Sequence, residues 1–253
     1  RVLIYNNLSV DGVLLNGTRS FKINEFTENE SPSFTVVNDM ALTLEDGSVF
    51  EETGSKTFTV NLDSDDIAFP HRLETQVKWM ESNLQYVGIG SACEIIDSLG
   101  NKQGLIRRDI PNHHLKVLLL FSNYFINSSV LMRAELAKQT KYASDIDLSE
   151  DYQFFVQLSK RGKLGNINTP LVAYRVHETN ISKEKERELS AATSVIQQRQ
   201  LEALGIIPTS EEMKLHSALV DGLSTNLGFT LNQVEEWLYK VIETNQTQKL
   251  YSD

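Results

Sequence analysis

Short β-branched or apolar runs dominate the first 62 residues. They fall at residues 1–5, 13–15, 34–37, 40–44 and 57–62, with Asp11-Gly12, Asn16-Gly17 and Asp46-Gly47 standing between them. Runs of strand length closed by such dipeptides predict strands joined as hairpins. Residues 20–33, rich in Glu and Asn, predict a surface loop. The strand at 57–62 runs straight into Asp63-Ser64-Asp65-Asp66, and Pro70 then opens a helix. In that helix Leu73, Val77 and Met80 recur at spacings of four and three, with Gln76, Lys78 and Glu81 between them, and the pattern stops near Asn83. Residues 86–92 and 94–96 predict one strand or two, 98–101 a turn, 113–120 a short helix and 121–127 a polar, aromatic loop. An extended run at 128–132 and a helix at 133–138 follow, then an amphipathic helix at 151–160 ending at Gly162. A last strand is predicted at 170–176, and helices at 183–203 and 210–248 are split by residues 205–208. Strand, acidic turn, helix is the order of an α/β sheet, and it puts carboxylates at the carboxyl end of a strand, where such sheets bind ligands.

A chain of 253 residues and 28.6 kDa can bury the core of one large α/β domain, alone or with a small appendage. Hydrophobic residues at 40% and charged residues at 23% exclude the disordered and fibrous classes. The net charge of −10 and pI near 5.1 argue against nucleic acid as a partner, because a phosphate backbone needs clustered Lys and Arg. An anionic ligand therefore needs a local device, and a divalent cation held by carboxylates is one. Cys93 is the single cysteine, which precludes an intrachain disulfide and favours a cytoplasmic setting; it reads as a small buried apolar residue. The longest apolar run, 117–121, falls far short of the roughly 18 residues of a membrane span. The start at Arg1, without Met or a signal-like segment, suggests a fragment or a processed form, and the sequons at Asn16 and Asn127 read as chance.

In an extended segment residues two apart point the same way, so Asp63 and Asp65 are expected to face one ligand while Ser64 faces elsewhere. Two converging carboxylates repel unless a cation lies between them, and a hard divalent ion does so with oxygen ligands. The bland alternative is a solvated acidic turn that caps the next helix. His113 and His114 are adjacent, do not share a helix face and read as surface residues. Trp79, Phe154, Phe155, Leu158 and Trp237 read as core.

Three segments together resemble family 2 glycosyltransferases. Residues 62–76 look like that family's Asp-x-Asp segment, with Pro70, Arg72-Leu73 and Gln76 at its offsets in the next helix. Ser149-Glu150-Asp151 resembles the Glu-Asp motif opening the family's catalytic helix. Tyr174-Arg175-Val176-His177, running on to Asn180-Ile181-Ser182, resembles the segment that closes its catalytic domain. The resemblance implies a GT-A-like (Rossmann-like) mixed sheet flanked by helices. It also implies an inverting, metal-dependent glycosyltransferase, hexosyltransferase-type, acting in polysaccharide or glycoconjugate synthesis. Asp63, Asp65 and His177 would hold Mn²⁺ or Mg²⁺ and the donor diphosphate, the donor being a nucleotide sugar, expected to be a UDP-sugar. Asp151 would be the general base toward a glycan or glycoconjugate acceptor, Glu150 would orient acceptor or base, and Asn123 and Asn127 would contribute weakly to the acceptor site. The helix N-terminus is expected to lower the carboxylate pKa at 150 and 151, with Ser149 as cap.

The resemblance covers 57–182 and leaves 1–56 unmatched: a strand ending at a Pro-x-Tyr-Asn turn and a second ending at Asp-Gly-Ser are not found, and 34–39 is only a faint echo. The expected organisation is a β-rich segment at 1–56, a divergent or incomplete nucleotide-binding half; a metal-binding and acceptor half at 57–182; and a helical tail at 183–253. In the tail Leu231, Val234, Leu238 and Ile242 are spaced to pack on the domain, on a partner in a homo-oligomer or, least favoured because charges are mixed, on a membrane surface. A catalytically inactive GT-A-like binding or scaffold protein is the alternative from another class.

Overall fold

The computed structural model describes residues 56–251 with their side chains, except 109, 141–145, 147, 177–184, 220–227 and the side chain of 186; of residues 2–55 it describes the backbone of the strands. The strands are β1 (Val2–Asn6), β2 (Ser9–Val10), β3 (Val13–Leu14), β4 (Asn16–Ile23), β5 (Ser33–Thr43), β6 (Val49–Val60), β7 (Ile67–Ala68), β8 (Tyr86–Ile96), β9 (Lys102–Ile106), β10 (Leu131–Arg133) and β11 (Lys163–Arg175). Nine of them form one sheet in the order β1-β4-β5-β6-β10-β8-β11-β7, with β9 beside β8. Only the β8–β11 pair is parallel among the pairs described. The result is a mixed sheet flanked by helices, consistent with a Rossmann-like fold.

The N-terminal residues build an antiparallel ladder, β1 on β4, β4 on β5 and β5 on β6. Nine residues connect β4 to β5, fewer than the dozen or more a parallel crossover needs, so an antiparallel return is the available solution. The chain reaches its core through β6, which pairs with β5 on one edge and β10 on the other and so carries the N-terminal ladder and the core sheet on one strand. Several expectations change here. Asn16-Gly17 is the start of β4 rather than a turn, residues 20–23 are strand rather than loop, and the run at 34–37 and the described part of the run at 40–44 join in the single β5. Asp11-Gly12 and Asp46-Gly47 lie outside the described residues. Residues 86–96 form one strand, β9 was not foreseen, and β11 begins at Lys163 rather than at Pro170. Pro170 has no N–H to give the ladder, and the β8–β11 register shifts on both sides of it, which hid the first half of the strand from a reading that took proline as a boundary.

The helices are α1 (Arg72–Ser82), α2 (Leu115–Leu118), α3 (Ala134–Gln139), α4 (Glu150–Leu158), α5 (Glu186–Leu204), α6 (Ser210–Ala218) and α7 (Leu231–Gln248). Val77 and Met80 of α1 pack with Phe58, Ile89 and Leu131. Gln76, expected on the polar side, is fully buried: its amide donates to Ile89 O at 3.1 Å and Ser129 O at 2.8 Å and accepts from Arg72 Nε at 3.0 Å. Arg72 is equally buried and its Nη2 donates to Asn61 O at 2.9 Å. Burial lowers the Arg72 pKa to about 10, so the guanidinium keeps its charge at neutral pH. It joins the end of β6 to the strand beside it through bonds made to backbone oxygens. Cys93 is buried, and burial pushes its thiol up to about 12, which fits an inert core residue.

The C-terminal helices pack on the domain around Leu120, Leu201, Leu204, Leu215, Trp237 and Val241. Gly205, in the left-handed region at φ 98, ends α5, and Thr209 and Thr230 open α6 and α7 with capping boxes. The predicted helix at 210–248 is therefore two helices. Of the α7 stripe, Val234 is buried and Leu238 packs at the core edge, while Leu231 and Ile242 are 76% and 50% exposed. His216 is fully buried, its ring stacked on Phe121 with centroids 4.7 Å apart. Its Nε2–H donates to Leu120 O at 3.0 Å and its Nδ1 accepts from Trp237 Nε1–H at 3.2 Å, an arrangement that only the neutral ring can make.

Burial holds the His216 pKa below its usual 6.5. The unfolded chain therefore takes up a proton below about pH 6.5 that the folded chain refuses, so this residue costs stability as pH falls through that value and nothing above it. Compared with His216→Gln, which keeps a donor and an acceptor but does not titrate, the wild type is expected to lose urea stability between pH 7.5 and pH 5.5. Parallel pH profiles for the two proteins would contradict this role.

Candidate active site

Asp63 follows β6 by three residues, in a turn closed by the Asp66 N–H to Asp63 O at 3.2 Å. Because this is a turn and not an extended run, the alternation expected for Asp63 and Asp65 does not apply. Two devices hold it. On one side the short helical turn Asn127–Ser129 latches it: Ser128 Oγ accepts from the Asp63 N–H at 3.0 Å, and the Asn127 amide donates to Asp63 Oδ1 at 3.2 Å while accepting from Asn61 Nδ2 at 2.8 Å. On the other side Arg175, at the end of β11, donates its backbone N–H to Asp66 Oδ1 at 2.7 Å and its Nε to Asp65 O at 2.8 Å. Its Nη1 reaches Asp97 O at 2.8 Å and Ser98 O at 3.1 Å. Asp66 is buried, which raises its pKa against the pull of Ser128 and the Arg175 N–H, and its part is structural.

The second wall comes from α4. Leu148 just before it adopts φ 69, a left-handed conformation that a leucine holds only when its surroundings impose it, and this aims Ser149, Glu150 and Asp151 into the cleft. Ser149 makes no side-chain cap; its Oγ lies 3.3 Å from Thr193 Oγ1 of α5 instead. The Asp151 carboxylate does the capping, Oδ1 accepting from the Tyr152 N–H at 2.7 Å, and its Oδ2 accepts from Asn123 Nδ2 at 2.9 Å. Asn123 is in turn fixed by the Phe125 N–H at 3.0 Å. Burial raises the Asp151 pKa, the Tyr152 N–H opposes it, and the charges of Glu150 and Asp63 add to the rise. The lowering expected from the helix N-terminus is thus overturned, because desolvation of this half-buried carboxylate outweighs the N–H contact.

Asp63, Glu150 and Asp151 line one cleft of about 560 Å³ with Asn123, Asn127 and Lys185. That volume is ample for a sugar-sized ligand. Asp65 stands half-exposed on the same turn but does not line the cleft, and His177 lies outside the described residues. Among the described residues no three His, Cys, Asp or Glu side chains converge as a ready cation site. The donors present are hard carboxylate oxygens, and Asp63 raises the Asp151 pKa through charge repulsion; both features fit a hard divalent ion such as Mg²⁺ or Mn²⁺ at this wall.

Three supports have roles that the sequence does not announce: Arg175 and Gln76 stand in motifs with no assigned role, and Asn127 is expected at the acceptor site rather than at the Asp63 turn. The i, i+4 spacing of Arg72 and Gln76 was the one signal available for the buried pair.

The carbonyls of Leu119, Leu120 and Phe121, just ahead of Asn123, are gripped from the helical tail. Gln200 Nε2 donates to Leu119 O at 2.8 Å, His216 donates to Leu120 O, and Gln197 donates to Phe121 O. Tyr152 Oη adds a bond to Leu119 O at 2.6 Å, tying α4 to the same segment. The tail therefore sets where Asn123, and through it Asp151, stands.

No family model matches the chain. It is 27% identical over 157 residues to an uncharacterized glycosyltransferase of Haemophilus influenzae, covering 58% of this chain and 49% of that protein. It is 28% identical over 135 residues to an uncharacterized glycosyltransferase of Methanocaldococcus jannaschii, covering 51% and 46%. A third relative is the O-antigen biosynthesis glycosyltransferase WbnJ of Escherichia coli, 28% identical over 130 residues and covering 48% of each chain. The chain spans about half the length of the curated relatives it matches. Among the described residues no helix is long and apolar enough to cross a membrane.

Proposed function

We propose that the chain carries the metal-binding and acceptor half of an inverting, family 2-like glycosyltransferase of GT-A type, which moves a sugar from a nucleoside-diphosphate sugar to a hydroxyl of a glycan or glycoconjugate in the cytoplasm. The observation that carries this reading is the single cleft in which Asp63 and Asp151 meet from segments 88 residues apart, 63 to 151. The likeness to proteins named glycosyltransferases, one of them for O-antigen biosynthesis, supports it.

Each residue has a defined task. Asp151, with Asn123 holding Oδ2, takes the proton of the acceptor hydroxyl as that oxygen bonds to the anomeric carbon. The bond from that carbon to the diphosphate oxygen breaks on the opposite face, which inverts the configuration. Glu150, exposed at the cleft, orients the acceptor. Asp63 and Asp65, with His177, would hold Mn²⁺ or Mg²⁺, and the cation would offset the charge on the departing diphosphate. Without such a cation three carboxylates facing one lysine, Lys185, would repel a diphosphate.

The antiparallel N-terminal ladder favours a second reading, a GT-A-like binding or scaffold protein, because it stands where a nucleotide-binding half of strand–helix units was expected. Incubation with a panel of nucleotide sugars and Mn²⁺ separates the two. The transferase reading expects release of nucleoside diphosphate from at least one donor, and Mn²⁺-dependent nucleotide binding that Asp63→Ala and Asp65→Ala each weaken by about tenfold or more. Absence of both turnover and Mn²⁺-dependent binding across the panel selects the scaffold.

A further inference from the structure

At the opposite end of α4 from the cleft lies a second pocket, of about 320 Å³, and its chemistry is the reverse of the first. Asn112, His113, Lys116, Lys160, Arg161 and Lys163 line it, and no carboxylate does among the described residues. The two pockets share no lining residue, and the nine residues of α4 separate their ends by about 13 Å. In a chain with 34 acidic and 24 basic residues, four cations around one concavity stand out against the overall charge.

The cations arrive from different elements: Lys116 from α2, Lys160 and Arg161 from the turn after α4, Lys163 from the first position of β11. A cation after a helix C-terminus has an ordinary reason to be there, which accounts for Lys160 and Arg161. It does not account for Lys116 and Lys163, which converge on the same space from outside that helix. Among the described residues Lys116, Lys160 and Lys163 have no carboxylate partner, whereas Lys102 and Lys240 pair with Glu94 and Glu212. Arg161 is held in place by a neutral partner, Nη1 donating to Gln139 Oε1 at 3.2 Å and Nη2 to Gln139 O at 3.0 Å. Asn112 is likewise pinned through Oδ1, which accepts from the Asn166 N–H at 2.8 Å, and its amide keeps donors to give. With Lys116 half-buried, Lys160, Arg161 and Lys163 exposed on the rim and no acidic side chain among the lining residues, an anion in this pocket meets positive charge from several sides.

We propose that this pocket binds a phosphate-bearing ligand, with Lys116, Lys160 and Lys163 as its charge partners and Arg161 and Asn112 as fixed donors. Its size suits a phosphate or diphosphate group, and ammonium groups are effective point-charge partners for one. The phosphate belongs either to a small soluble compound or to a lipid headgroup at a membrane surface.

The test uses the full chain in low-salt buffer with EDTA, which keeps any cation-dependent diphosphate out of the acidic cleft. Calorimetric titration with inorganic pyrophosphate is expected to show saturable binding, weakened at least about tenfold by Lys116→Gln combined with Lys163→Gln, and weakened as salt is raised. Asp63→Ala should bind pyrophosphate as the wild type does. Sedimentation with phosphatidylglycerol vesicles, against phosphatidylcholine vesicles as control, separates the sources. Vesicle binding lost with the two lysines assigns the phosphate to a headgroup, and pyrophosphate binding without vesicle binding assigns it to a soluble compound. Failure to bind either probe, or binding that the lysine variant leaves unchanged or that Asp63→Ala abolishes, overturns the proposal.

Discussion

The Asp151→Asn variant is expected to turn over donor and acceptor about 10² to 10⁴ times more slowly than the wild type, the usual contribution of a positioned general base. The exchange is nearly isosteric, so the fold should survive it. The local bonds cannot all survive, however. Asp151 accepts from the Tyr152 N–H and from Asn123 Nδ2, and an asparagine amide can accept through only one of its two ends. Its NH₂ would meet the NH₂ of Asn123, which cannot turn over freely because its oxygen is engaged by the Phe125 N–H. The loss should fall on kcat, with Mn²⁺-dependent nucleotide binding kept, since nothing in the proposed cation set is altered. In the wild type, burial together with the charges of Glu150 and Asp63 raises the Asp151 pKa, so the base is lost to protonation at a higher pH than an ordinary carboxylate with its pKa near 3.8. The acid limb of the kcat profile should accordingly lie above that value. Undiminished turnover in the variant would remove Asp151 from the chemistry.

Trp237→Ala should be the most destabilising single change in the helical tail, by about 3 to 5 kcal/mol. Trp237 is 3% exposed, packs with Leu201, Leu204, Val234 and Val241, and stands edge-on to His216 with ring centroids 5.7 Å apart. Removing it opens a cavity and also strips His216 Nδ1 of its donor, a buried acceptor left unmade. Urea unfolding followed by circular dichroism measures the loss, and a change below about 1.5 kcal/mol would mean the cluster repacks around the gap. His216 is one of the residues gripping the carbonyls ahead of Asn123, so the damage should reach the cleft as well.

Much of the core sheet and of the cleft was legible from the residues alone, because strong local signals lay there. The strand followed within three residues by Asp63-Ser64-Asp65-Asp66, the proline two residues ahead of α1 and the Ser149-Glu150-Asp151 start of α4 all act within a few positions. What escaped depends on contacts distant in sequence. Gln76 was placed on the polar side of α1 by its side-chain type, yet its partners, Ile89 O and Ser129 O, belong to strands or turns that periodicity cannot bring to it. The pKa of Asp151 was assigned the wrong direction because the helix end is visible in sequence and the burial is not. The N-terminal ladder is only half legible: β1, β5 and the end of β6 stand out as runs, whereas β4 does not, because it holds a polar stretch, Asn16 to Ser20, that only its pairing with β5 makes into strand.

Arg175 shows what such distant contacts mean for how the sequence can drift. One guanidinium meets the carbonyl of Asp65 through Nε and those of Asp97 and Ser98 through Nη1, a reach that a lysine, with a single terminal nitrogen, cannot reproduce. A survey of tolerated substitutions should therefore rank position 175 close to position 151. The reasons differ: position 151 is intolerant because it would meet the acceptor, position 175 because two turns, at Asp65 and at Asp97-Ser98, take their places from it.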